Sequence, residues 1–116
     1  GDDAIRPAFP PTPADLAPYG WPIYRLHRDL IALRRRHAGL HRARTRTLHL
    51  ANEQIVVVLG DGAARVLLAL NLADAAVPLP VPDARAIEAG QGDLAEAGGP
   101  SARVTLPPHG WAILVV

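Results

Sequence analysis

The 116-residue chain has no cysteine. That excludes disulfides, thiolate metal sites and cysteine nucleophiles together. Lysine is also missing, so all 12 basic side chains other than histidine are arginine. The single serine is Ser101. A serine triad would rest on that position alone, and the Gly-Gly-Pro loop before it offers no support. Aromatic residues are scarce, with two Trp, two Tyr and one Phe. That is too few for the stacking platforms of single-strand nucleic-acid binders, or for the flat aromatic faces of sugar-binding modules. No stretch approaches the ~20 uninterrupted apolar residues of a membrane span. The opening GDDAIRPAFPPTP has neither the basic nor the apolar region of a signal peptide, and the expected compartment is the cytoplasm. No phosphate loop, G-x-S-x-G or H-E-x-x-H is present.

Apolar residues make up 49% and charged residues 20% of the chain, a composition of ordinary globular proteins. The net charge of +1 hides an asymmetry. Residues 25–46 hold eight arginines and one acid, Asp29, for a charge of +7, and the remainder carries −6. Such a split can bind a polyanion, or neutralise itself on folding.

The first 21 residues read as a proline-rich, extended lead-in. Pro22 suits the first turn of a helix. Ile23, Leu26, Leu30 and Leu33 then follow at helical spacing, which predicts a helix over about 22–37 with one apolar stripe. Gly39 is its stop. Beyond it the period changes. TRTLHLAN alternates, EQIVVVLG reads as a strand buried on both faces, and Asp61-Gly62 is a hairpin signal before ARVLLALNL. In VPLPVP, the prolines 78, 80 and 82 remove three donors from one edge, which predicts an edge strand or a polyproline connector. Between 83 and 100 the glycines suggest a strand fragment at 85–89 and loops. SARVTL and WAILVV close the chain.

His37 and His41 have i, i+4 spacing, but Gly39 between them breaks a helix, so no metal is expected there. His49 and His109 are expected to be structural or solvated. Asp2-Asp3 would point to opposite sides of an extended segment, a poor two-carboxylate device.

The order of pieces resembles the C-terminal end of the α-amylase family of glycoside hydrolases. Asp2, Arg6, Pro7 and Phe9 approximate the loop that follows the last strands of that family's barrel. Tyr24, Leu30, Ile31, Leu33, Arg34, His37 and Leu40 match the pattern of its final helix. Leu70-Asn71-Leu72 and Leu106–Pro108 with Ile113-Leu114 resemble strands of its C-terminal sandwich.

The resemblance implies a mainly β fold, an antiparallel Greek-key β-sandwich preceded by one amphipathic helix. Residues 1–39 would be the lead-in and last barrel helix, and residues 40–116 the sandwich. The chain would be a non-catalytic, stabilising domain on the (β/α)8 barrel of its own parent. That parent would act on α-glucosidic bonds by the retaining two-carboxylate route. The family's catalytic carboxylates lie upstream of Gly1, so no catalytic residue, cofactor or metal is expected here. The α-glucan would be met through the parent, with Asp3 and Arg6 as the residues nearest a substrate cleft. Neither a nucleic-acid nor a membrane partner is expected. The alternative is a free-standing carbohydrate-binding or interaction module.

Overall fold

The computed structural model describes Ile5 and residues 7–116. The chain forms two compact units, divided between Arg36 and His37; the sequence reading placed the boundary after residue 39.

In the first unit, a 3-10 turn over Pro13–Asp15 is held by Thr12, whose N–H (3.2 Å) and hydroxyl (2.8 Å) both donate to the Asp15 carboxylate. Helix α1 spans Gly20–Arg36. It starts two residues earlier than predicted because the Gly20 N–H closes a turn onto the Ala17 carbonyl at 2.8 Å. Pro22 lies in the first turn, where its missing N–H costs nothing. Arg34, Arg35 and Arg36 lie in the last turn, at the negative end of the helix dipole. The stripe is graded: Ile23 is exposed, Leu26 and Leu30 are half-buried, and Leu33 is buried.

The second unit is an antiparallel β-sandwich, as expected. Its strands are β1 (Thr45–Ala51), β2 (Gln54–Leu59), β3 (Val66–Asn71), β4 (Val77–Pro80), β5 (Ala86–Gly90), β6 (Asp93–Ala95), β7 (Arg103–Leu106) and β8 (Trp111–Val115). One sheet runs β1-β2-β3-β8-β5 and the other β4-β7-β6. Strands distant in sequence become neighbours, β3 with β8 and β4 with β7, as Greek-key sandwiches require. The core between the sheets includes Val56, Val58, Leu67, Leu79, Val104, Leu106 and Leu114.

Two turns differ from expectation. Asp61-Gly62 does not make a two-residue hairpin; a 3-10 turn over Gly62–Ala64 joins β2 to β3, with Gly60 and Gly62 both at positive φ. The glycine-rich stretch 90–95 is not all loop. Gly90 (φ 96°) ends β5 in the large sheet, Gly92 (φ 117°) follows, and β6 begins at Asp93 in the small one. The chain therefore changes sheets across Gln91 and Gly92, whose neighbouring glycine conformations supply the corner.

VPLPVP contains an edge strand. Val81 N–H donates to the Ala102 carbonyl at 2.9 Å, and the register continues through Leu79↔Val104 and Val77↔Leu106. Pro78 and Pro80 thus fall at the alternate positions that face away from β7, where no ladder donor is needed.

Among the described residues, one polar side chain is fully buried. Asn71 donates from Nδ2 to the Ala75 and Pro107 carbonyls, each at 2.9 Å, and its Oδ1 accepts the Ala73 N–H at 2.9 Å. It ties the end of β3 to the β7–β8 turn. Each such group, if left unsatisfied, costs about 1–3 kcal/mol.

Candidate functional site

The outward face of the large sheet is the feature that most needs explaining. Read across paired strands, one row is Leu50–Ile55–Leu70–Trp111, and the next is Thr47–Val57–Leu68–Ile113–Ala89. A third is Thr45–Leu59–Val66–Val115–Ala86. These residues point away from the small sheet, because Val56, Val58, Leu67, Ala69, Ala112 and Leu114 alternate with them and form the core. The central rows carry no charge. Leu50 and Leu72 are 73% and 63% exposed, and Ile55, Val57, Leu68, Leu70, Trp111 and Ile113 are half-buried. An antiparallel sheet with one solvated face alternates apolar and polar residues; one covered on both faces does not.

The first unit has an apolar groove of about 580 Å³ between the lead-in and the start of α1, lined in part by Phe9, Pro10, Pro13, Tyr19, Ile23 and Tyr24. Phe9 is 97% exposed. Trp21 and Tyr24 pack edge to face, with centroids 5.5 Å apart. Arg25 and Arg28 lie over their rings at 5.7 and 5.9 Å. Such cation–π contacts fix both arginine stems against the helix start.

Asp3 and Arg6, the predicted substrate-side residues, lie outside the described residues, as does Asp2. His37 Nε2 meets Glu88 Oε2 at 2.6 Å, joining the segment after α1 to β5. Sequence reasoning did not find this pair, since 51 positions separate its members. An imidazole on a carboxylate is half of a nucleophile-activating device. Here no hydroxyl among the described residues hydrogen-bonds the His37 ring, and Ser101 lies exposed in the turn before β7. His41 is exposed in the 3-10 turn Ala38–His41. His49 meets Gln54 at 3.1 Å across the β1–β2 hairpin. His109 meets Asp74 at 2.7 Å on the surface. Among the described residues, no three histidine or carboxylate groups gather as a metal-binding set. No helix among the described residues is long and apolar enough to cross a membrane.

Among the described residues the arrangement offers three surfaces: a sheet that is apolar on both faces, an apolar groove beside a helix start, and a basic strand. No family model matches the chain, and a search of curated proteins also finds no match.

Proposed function

We propose that this chain is the non-catalytic C-terminal part of an α-amylase-type glycoside hydrolase, acting as a structural cover on the parent's barrel. The observation that carries the reading is the large sheet's outward face. The small sheet covers only one side of β2, β3 and β8, and the other side presents Ile55, Val57, Leu68, Leu70 and Ile113. Burying each such side chain against a further layer is worth about 1.5–3 kcal/mol, so a domain of this kind gains stability from a neighbouring body. The order of parts is consistent with the resemblance: α1 carries Tyr24, Leu30, Ile31, Leu33 and Arg34 of the final-helix pattern, while His37 and Leu40 fall beyond its end, Asn71 closes β3, and the Leu-Pro-Pro segment leads into β8. Retaining hydrolysis needs two carboxylates about 5–5.5 Å apart. The chemistry would lie on barrel strands upstream, with the parent acting on α-glucans.

Two measurements test this. The coding sequence upstream of Gly1 is expected to encode barrel strands bearing a nucleophilic aspartate and an acid/base glutamate; an upstream region without them overturns the reading. The 116-residue chain alone is expected to release no reducing sugar from maltodextrin. Turnover above background would place catalysis within this chain instead.

A further inference from the structure

We propose that the free edge of β1 is a docking edge for an extended acidic segment of another protein, added as an antiparallel strand. This inference does not depend on the barrel reading.

The sandwich treats its edges differently. At β4, the residues whose backbone faces outward are Pro78 and Pro80, so that edge has no donor to offer. At β1 the corresponding groups are intact. Gly60 N–H donates to the Arg44 carbonyl at 3.1 Å, and the register runs on through Thr45↔Leu59, Arg46↔Val58 and Thr47↔Val57. Arg44 and Arg46 thus occupy the positions bonded to β2. The N–H and C=O of Thr45 and Thr47 point the other way. Since β1 is the terminal strand of its sheet, those groups have no ladder partner among the described residues. Thr45, Arg46 and Thr47 are all exposed. The bulge after Thr47 limits the straight part of the edge to this short stretch.

Charge then selects the occupant. Arg44 and Arg46 alternate, so they share one face of the strand direction, and Arg42 stands in the turn just before them. None of them pairs with an acid among the described residues, whereas Arg65 has Asp83 at 2.9 Å. A second copy of β1 would set arginine against arginine across the new ladder, which is unfavourable. An incoming strand with acids at every second position would set them against Arg44 and Arg46 at the closely spaced, non-hydrogen-bonded pairs. Its intervening residues would meet Thr45 and Thr47 and supply the ladder bonds.

The test titrates the 116-residue chain with an acetylated, amidated heptapeptide alternating Thr or Val with Glu, at low salt, following backbone amide resonances. The largest shifts are expected at Thr45 and Thr47. Replacing every Glu of the peptide with Lys should abolish binding. The doubly substituted Arg44→Glu, Arg46→Glu chain should bind at least about tenfold more weakly. N-methylation provides the decisive arm and leaves the protein untouched. Methylating the Thr and Val residues removes the donors that face β1 and should abolish binding, whereas methylating the Glu residues blocks only the far edge and should be tolerated. A folded chain that shows no binding overturns the proposal: the arginines then merely guard the edge. Binding unaffected by either methylation, and matched by an oligonucleotide, also overturns it in favour of a general polyanion patch.

Discussion

Across the large sheet, the middle outward row reads Thr47–Val57–Leu68–Ile113–Ala89, and across the small sheet an outward row reads Pro78–Thr105–Asp93. The inward rows are alike. Leu114 and Leu67 on one side and Leu79 and Val104 on the other are all fully buried. Both sheets therefore contribute to the core, but only the small one finishes in residues that suit water. Strand β7 shows the alternation plainly, with Val104 and Leu106 buried and Arg103 and Thr105 exposed. Strand β2 does not: Ile55, Val57 and Leu59 are as apolar as the residues between them. The difference implies that the two faces were shaped against different neighbours, water on one side and a second apolar layer on the other.

The two sheets meet at a corner, and breaking it should have the largest effect. A Cβ added at Gly90 would overlap the Trp111 carbonyl oxygen and lie 2.8 Å from the Ala112 Cα, at a φ of 96° that side chains rarely adopt. Both obstacles are backbone, which cannot swing aside. Gly90→Ala is expected to cost about 3–5 kcal/mol, or to prevent folding. Gly39→Ala is the control: its Cβ would meet nothing within 4 Å, so it should change stability by less than about 1 kcal/mol. Urea denaturation of both variants checks the pair. Equal midpoints would mean that the passage between sheets is not held as described.

The outward faces can be compared directly by placing a lysine on each. Ile113 is half-buried in the middle row of the large sheet, and Thr105 is exposed at the matching place on the small one. Ile113→Lys is expected to cost about 2 kcal/mol or more, because a charge enters an apolar face. Thr105→Lys should stay within about 0.5 kcal/mol. If thermal melts show the two substitutions to be equivalent, the faces do not differ in kind, and the main support for a covering layer is gone.

These contrasts explain which parts of the fold were legible in the sequence. Strands announced themselves by period where one face is wet, and by unbroken β-branched runs where neither is, so TRTLHLAN and EQIVVVLG were separable. The helix was legible from Ile23, Leu26, Leu30 and Leu33, with an error of two residues at its start, because the capping turn at Ala17–Gly20 leaves no hydrophobic trace. Strand β6 was not legible. It has three residues, Asp93–Ala95, next to glycines that ordinarily mark loops, and its pairing with β7 is purely tertiary. The His37–Glu88 contact was hidden for the same reason. Asn71 was visible as an isolated polar residue in an apolar strand, but its four backbone partners lie in the loop after β3 and at the end of β7.

The smallest expected effect concerns a loop that leads toward β5. Asp83 holds a left-handed φ of 64° and accepts a 2.9 Å bond from Arg65 Nη2. The pair is partly exposed, with side-chain accessibilities of 23% for Arg65 and 48% for Asp83, so it contributes no more than about 1 kcal/mol. The left-handed backbone opposes it, since most side chains pay about 1–2 kcal/mol there and Asp or Asn somewhat less. Three substitutions separate these contributions. Asp83→Ala loses the ion pair and keeps an unfavourable backbone, so it should cost about 1–2 kcal/mol. Asp83→Gly loses the pair but relaxes the backbone, and should fall within about 0.5 kcal/mol of the parent. Asp83→Asn keeps a short polar side chain suited to that φ and should lie between them. Chemical denaturation in low salt gives the order. If Gly proves as damaging as Ala, the Arg65–Asp83 bond matters more than its exposure implies, and the loop is held by charge instead of by backbone conformation.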